Sequence, residues 1–153
     1  CGMTPPSSPH AYDDPAVIAR ILQRARTIAV VGLSTDPAKP SADVAAYLQA
    51  AGYRIIPVHP KAAQLLGETA YPSLEAIPGA VDLVNVFRPA DEAEAWAEAA
   101  VRIGAKAWWL QLGLVNEVAA ARAQSAGLDV VMNLCTKIEH RRLVQTFHQQ
   151  LAQ

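Results

Sequence analysis

The chain has 153 residues, which is the length of one ordinary domain. Hydrophobic residues make up 52% of it and charged residues 18%, so the chain can bury a core and differs from a disordered segment. The formal net charge is -1 and no long basic tract is present, so we expect neither nucleic acid nor a membrane as a partner. No apolar run reaches the roughly 18 residues of a membrane span. The composition identifies no protein partner.

The cysteine content bears on location. Cys1 and Cys135 are the only two cysteines, and they provide no disulfide framework. The first 26 residues carry Asp13 and Asp14 and lack a continuous apolar core, so we expect no signal peptide. A single internal cysteine fits a reducing compartment, and we predict a cytoplasmic location.

The N-terminal region divides into a tail and the start of the domain. Residues 1–12 are rich in proline and serine, and we predict a disordered tail there, followed by one domain over 13–153. Asp14 and Pro15 are typical of the cap and the first residue of a helix, which we expect to end near residue 25.

Short apolar strands then alternate with amphipathic helices. The β-branched run at 27–31 stops at Gly32 and predicts a strand buried on both faces. Ser41 is positioned to cap the next helix, and Gly52 to end it. The same reasoning predicts strands at 53–58, 81–87, 105–112 and 128–132, and helices at 90–103, at 117–125 after an Asn116 cap, and at the C-terminus.

The segment 59–80 interrupts this alternation. Prolines and glycines break it up, and we expect at most one helical turn, at 73–77. The whole pattern predicts an α/β fold, a Rossmann-like three-layer sandwich with a mainly parallel five-stranded sheet.

In such a sheet, ligands bind where the strands end, near the point at which the strand order reverses. The residues that follow the predicted strands are polar, and several are cationic or are glycine, serine or proline. They are Gly32, Ser34, Lys39, Pro40 and Ser41 after the first strand, His59, Pro60 and Lys61 after the second, Arg88 and Pro89 after the third, and Gln111 and Gly113 at the fourth. This set predicts a pocket for a phosphorylated ligand, although ordinary turns favour the same residue types.

The pattern does not match a dinucleotide site. Such a site needs three spaced glycines after the first strand and an acidic residue about 20 positions later. Gly32 is the only glycine of its loop, and the second strand ends in His59 and Pro60. An NAD(P)-dependent oxidoreductase therefore remains only an alternative, in which Lys39 or Lys61 would meet the extra phosphate of NADP.

The ordered set of motifs resembles the small bacterial CoA-binding domain proteins, which are similar to the N-terminal CoA-binding domain of the succinyl-CoA synthetase α subunit. The matching segments are 28–34, 39–41, 58–60, 67–74, 81–89, 109–113 and 139–143. The resemblance implies that coenzyme A or an acyl-CoA is held at the strand ends. It also adds Phe87 to the binding residues named above. His59 departs from the family, which commonly has asparagine there.

The resemblance also bears on catalysis. The phosphorylated histidine of the synthetase belongs to a second domain, so no residue here inherits a catalytic role, and we favour a stand-alone CoA-binding protein over an enzyme. A nucleotide-binding subunit of an acyl-CoA synthetase is a further alternative. We predict no metal site, because the four histidines lack metal-ligand spacing.

Two features are more readily structural than functional, and one loop is expected to respond to the ligand. Cys135 and His140 can be read as a thiol–imidazole pair, but a small buried cysteine after a core strand is the commoner arrangement. Trp108 and Trp109 are adjacent on a strand and should point to opposite faces of the sheet. The loop over 34–41 has few apolar anchors, and we expect a ligand to order it.

Overall fold

The computed structural model describes residues 12–151, with side chains described for 12–146. The predicted tail lies outside the described residues, apart from Tyr12. The helices are α1 Pro15–Arg24, α2 Pro40–Ala50, α3 Ala93–Arg102, α4 Glu117–Ser125 and α5 Thr136–Leu151, with a 3₁₀ turn at Ala90–Glu92. The strands are β1 Thr27–Val31, β2 Arg54–Val58, β3 Gln64–Leu65, β4 Glu68–Thr69, β5 Leu83–Val86, β6 Ala107–Leu110 and β7 Asp129–Met132.

Five parallel strands form the main sheet, in the order β2-β1-β5-β6-β7. The chain moves outward from β1 to β2 on one side and then returns to β5 on the other. The strand order therefore reverses between β1 and β5, whose carboxyl ends are adjacent. This topology confirms the predicted Rossmann-like fold with a parallel five-stranded sheet.

Two apolar layers cover the sheet. Ala29, Val84 and Trp108 face a cluster that α3 and α4 cover, whereas Ile28 and Trp109 face a second cluster formed with α1 and α2. Both tryptophans are completely buried, and they lie on opposite faces as their adjacent positions predicted. Strands buried on both faces read as continuous apolar runs, which is why the sequence revealed them clearly.

Three predicted helix starts can be compared with the structure. Asp14 Oδ1 accepts a hydrogen bond from Ala16 N at 2.9 Å, and Asn116 caps α4 in the predicted way. Ser41 is not a cap: α2 begins at Pro40, and its cap residue is Lys39, two residues before the predicted cap. Proline at the first helical position is favoured because its missing N–H needs no partner there.

The segment between β2 and β5 differs from the prediction. β3 and β4 form a short antiparallel hairpin that the sequence did not indicate. Its connection places Leu66 at φ +55° and Gly67 at φ +75°, the backbone signs of a type I′ turn. A leucine rarely occupies the first of these positions, so the usual turn signal is missing. Residues 73–77 form a turn and no helix.

Among the described residues, no helix combines the length and the apolar character required to cross a membrane.

Candidate functional site

The carboxyl ends of β1, β2 and β5 meet at a cleft of about 430 Å³, which we call the carboxyl-edge cleft. Backbone hydrogen bonds hold these ends together: Gly32 N donates to Val58 O and Phe87 N donates to Val31 O. Five predicted site residues line the cleft, namely Gly32, Ser34, His59, Pro60 and Arg88. The cleft lies at the reversal of strand order, and its volume falls within the roughly 300–1,000 Å³ of small-molecule sites.

Gly32 brings two strand ends unusually close. Its φ is +84°, which L-residues with a side chain rarely adopt. A Cβ at this position would lie 2.9 Å from Cδ of Arg88 and 3.2 Å from the carbonyl carbon and oxygen of Phe87. The fold therefore favours glycine here, because of the positive φ and because the backbone of Phe87 and the stem of Arg88 lie where a side chain would be.

His59 closes the turn that follows β2. Its Nδ1 accepts hydrogen bonds from Lys61 N at 3.0 Å and from Ala62 N at 2.9 Å. A nitrogen that accepts two N–H groups carries no proton, which assigns the ring proton to Nε2. An asparagine side-chain oxygen would accept the same backbone groups. Histidine can therefore stand where the family commonly has asparagine without loss of these two hydrogen bonds. The Nε2–H of His59 stays available as a donor.

Glu92 and Trp96 line the cleft with polar groups, and the sequence reasoning missed both. Arg88 Nε donates to Glu92 Oε1 at 3.1 Å and Arg88 Nη2 donates to Oε2 at 2.7 Å. Trp96 Nε1 lies 3.4 Å from the same Oε1. The hydrogen bonds from Arg88 hold the pKa of the Glu92 carboxyl below its ordinary value, so this acid is charged at neutral pH. The four-residue spacing of Arg88 and Glu92 was the sequence signal that could have indicated this ion pair.

The loop between β1 and α2 supplies its own hydrogen bonds. Ser41 Oγ accepts from Ser34 N at 2.9 Å, and Ser34 Oγ accepts from Asp36 N at 3.0 Å. Asp36 in turn accepts from Ala38 N and, through its backbone, from Lys39 N. Both hydroxyl oxygens thus accept within the loop, and each hydroxyl keeps its own O–H, the group that would donate to a phosphate. Ordering of this loop by a ligand stays a prediction.

The other predicted site residues lie outside the cleft lining. Lys39 and Pro40 are exposed at the start of α2, while Ser41 is buried beneath them. Phe87 packs against the apolar layer of α1 and α2, and Pro89 precedes the 3₁₀ turn.

Gln111 and Gly113 belong to a neighbouring part of the same edge. Gln111 Nε2 donates to Thr136 Oγ1 at 3.1 Å and also to Asn85 Oδ1, and all three side chains are buried. Gly113 N donates to Asn133 Oδ1 at 2.7 Å. The buried amides tie β5 and β6 to the start of α5. Sequence reasoning passed over Asn85, although a polar residue within an apolar strand was a visible signal.

A second cleft of similar size, about 440 Å³, lies at the opposite edge of the sheet, and we call it the amino-edge cleft. Its lining includes Arg20, which is bonded through two nitrogens to Asp129, and Asp82, which accepts from Arg26 N and Thr27 N. These groups link α1 to the starts of the strands. The carboxyl-edge cleft is the stronger candidate, because parallel sheets of this type bind ligands at the carboxyl ends of their strands.

Cys135 and His140 have separate surroundings. The Nδ1 atom of His140 lies 2.8 Å from the hydroxyl of Tyr47, and the ring stands edge-on to Tyr47 and Tyr53. Burial lowers the pKa of His140. Cys135 is partly buried and packs against the apolar layer of α1 and α2. The contacts of His140 are those of a side chain joining α5 to α2.

The parallel strand order and the cleft at its reversal define a Rossmann-like domain. Residues 26–141 match the family model described as a CoA binding domain, and the chain belongs to that family. It is 45% identical over 125 residues to the uncharacterized protein YneT of Bacillus subtilis (strain 168), covering 82% of this chain and 93% of YneT.

Solved structures are also similar. A hypothetical protein from Pyrococcus horikoshii OT3 is 37% identical with a TM-score of 0.82, over 86% of this chain and 92% of that one. The apo form of a dinucleotide-forming acetyl-coenzyme A synthetase 1 from Ca. Korarchaeum cryptofilum is 28% identical with a TM-score of 0.64. The match covers 71% of this chain but only 26% of the synthetase.

Proposed function

We propose that this chain binds coenzyme A, free or acylated, in the carboxyl-edge cleft, and that it does so as a stand-alone module without catalysing a reaction. One observation carries the proposal: the cleft lies at the reversal of strand order in a domain of the CoA-binding family. The synthetase similarity supports the same ligand, since coenzyme A is named in that enzyme's activity.

The cleft residues offer the chemistry that a nucleotide with phosphates requires. The guanidinium of Arg88 can bind phosphate through two parallel hydrogen bonds. Gly32 permits the close approach of Arg88 and Phe87 that shapes this part of the cleft. The Nε2–H of His59 can donate to an uncharged acceptor, and Pro60 and Trp96 offer apolar surface to the adenine.

The residues beside the cleft extend the proposed site. Lys39 is exposed at the start of α2, a helix with no side-chain cap whose first N–H groups can bind an anion. Pro40 and Ser41 shape this start. Phe87, Pro89, Gln111 and Gly113 follow β5 and β6 along the same edge. In our proposal the pantetheine arm runs along this edge, away from the nucleotide.

The absence of catalysis rests on how the ionisable cleft residues are used. Arg88 and Glu92 bind each other, and His59 holds its own turn through Nδ1. A nucleophile activated by a neighbouring base would need a hydrogen bond between the two groups. The hydrogen bonds described for these cleft side chains form an ion pair and close a turn, and none of them joins a nucleophile to a base.

Calorimetric titration with CoA, acetyl-CoA, NAD and NADP, run side by side, tests the proposal. We expect CoA and acetyl-CoA to bind and NAD to bind at least about tenfold more weakly, a difference of about 1.4 kcal/mol. The physical reason is that β2 is followed by His59 and Pro60, where a dinucleotide site has the acidic residue that binds the ribose of NAD. NAD affinity equal to or better than CoA affinity would refute the proposal.

A role as the CoA-holding subunit of an acyl-CoA synthetase is the second candidate. The observation that favours it is the match of 71% of this chain to 26% of a synthetase chain. Size-exclusion chromatography of the protein purified from its native cells separates the two candidates. Elution with a second, larger chain in fixed ratio would favour the subunit, and elution of this chain alone the stand-alone module.

A further inference from the structure

One carboxylate in the carboxyl-edge cleft accepts from three N–H groups. Both oxygens of Glu92 face the fork of Arg88, and Oε1 also lies within reach of the indole N–H of Trp96. These three residues come from the end of β5, the 3₁₀ turn and the first turn of α3. The side chain of Glu92 therefore lies where an external oxyanion would find the same donors.

Of these three side chains, Trp96 is the one that the core anchors. The stem of Arg88 passes against Gly32, and Trp96 packs against the apolar layer of α3 and α4. The side chain of Glu92 is 39% exposed and that of Arg88 is 45% exposed. An ion pair this exposed contributes only about 0–1 kcal/mol. The carboxylate can thus leave its donors at small cost and be solvated by water.

A phosphoryl group is better suited to these donors than the carboxylate. It presents two oxygens with the spacing that a guanidinium fork accepts. A phosphomonoester also carries a charge of about -1.5 to -2 at pH 7, against -1 for a carboxylate. The attraction to Arg88 is correspondingly larger, and the indole N–H of Trp96 becomes available to a further phosphate oxygen.

We propose that Arg88 and Trp96 form a phosphoryl-binding subsite at which Glu92 is an internal competitor that the ligand's phosphate displaces. The assignment of the phosphoryl group to coenzyme A rests on the proposed function. Glu92 is then a specificity determinant, because a ligand without a phosphoryl group lacks the charge to replace it. Its presence lowers the affinity for CoA and raises the selectivity for phosphorylated ligands.

The test is a double-mutant cycle measured by calorimetry with CoA. Glu92→Gln removes the competing charge and is expected to tighten CoA binding about two- to fivefold, the equivalent of an exposed ion pair. The gain should vanish in an Arg88→Ala background, because nothing then remains to be released. Glu94→Gln removes an equal charge from an exposed position nearby on α3 and should leave the affinity unchanged.

Dephospho-CoA, which lacks the 3′-phosphate, identifies the source of the phosphoryl group. Loss of the Glu92→Gln gain with dephospho-CoA assigns the subsite to the 3′-phosphate, and retention of the gain assigns it to the pyrophosphate. Either result supports the subsite. A gain that persists without Arg88 would show a general charge effect and overturn the proposal. Unchanged or weaker binding by Glu92→Gln would also overturn it.

A second readout separates this proposal from the proposed function. If the unmodified protein binds no CoA, the proposed function fails, and inorganic pyrophosphate then tests the subsite alone. The indole N–H resonance of Trp96, assigned with Trp96→Phe, should shift on titration with pyrophosphate and stay fixed in Arg88→Ala. An indole resonance that does not respond in the unmodified protein would refute the subsite.

Discussion

Replacing Gly32 by alanine tests how the cleft is built. The new Cβ would lie 2.9 Å from Arg88 Cδ and 3.2 Å from the carbonyl of Phe87. The side chain of Arg88 can move aside, but the backbone of Phe87 is held by its hydrogen bond to Val31 O. A residue with a side chain at φ +84° costs roughly 1–2 kcal/mol, and the overpacking adds about 1 kcal/mol or more. We expect a total loss of about 2–3 kcal/mol in the free energy of unfolding.

The same substitution should reduce ligand affinity, because Arg88 is pushed from its position in the cleft. Losing its charge-assisted contact would weaken CoA binding by about tenfold or more. Urea unfolding and calorimetry measure the two effects separately. Gly104→Ala is the matched control: Gly104 also has a positive φ, +73°, but its added Cβ would meet nothing within 4 Å.

The control should lose about 1 kcal/mol of stability and keep its affinity for CoA. If Gly32→Ala were no less stable than Gly104→Ala and bound CoA normally, the contacts at Gly32 would constrain neither the fold nor the cleft.

Three further substitutions give separate tests. Arg88→Ala should weaken CoA binding about tenfold while changing the stability by less than about 1 kcal/mol; unchanged affinity with a large fall in melting temperature would make Arg88 structural. His59→Ala should lose about 1 kcal/mol in urea unfolding, because two backbone N–H groups lose their acceptor, whereas His59→Asn should stay close to the unmodified protein; equal losses would refute the turn argument. Burial lowers the pKa of His140, so the unfolded chain takes up its proton first and stability should fall as the pH drops below the ordinary histidine range. Urea unfolding at about pH 7.5 and about pH 5.5 should show a smaller fall for His140→Gln, and an identical fall would show that other groups titrate.

The sequence predicted the sheet well because its strands are buried on both faces. In the strand at 27–31, four apolar residues follow Thr27 without a polar residue among them, and a turn residue follows at once. Strands at 81–87 and 105–112 were predicted too long at both ends, since buried apolar residues such as Val81 and Ala105 lie outside the strand ladder. Burial and strand pairing are different properties, and the hydrophobic pattern reports only the first.

The site was predicted only in part, for a geometric reason. Residues directly after a strand share its edge, so Gly32, His59 and Arg88 could be placed together. Glu92 and Trp96 reach the cleft from the turn and helix beyond β5, and their approach depends on how α3 packs against the sheet. The rule that ligands bind where the strands end does not predict how α3 packs.

The location of the ligand is the central claim, and the two clefts of nearly equal volume make it directly testable. Backbone amide shifts recorded during titration with CoA report which edge of the sheet is occupied. We expect the largest shifts at residues 32–34, 58–60 and 87–92, which surround the carboxyl-edge cleft. Shifts concentrated at 20–25, 106–107 and 127–129 would place the ligand in the amino-edge cleft and contradict the account.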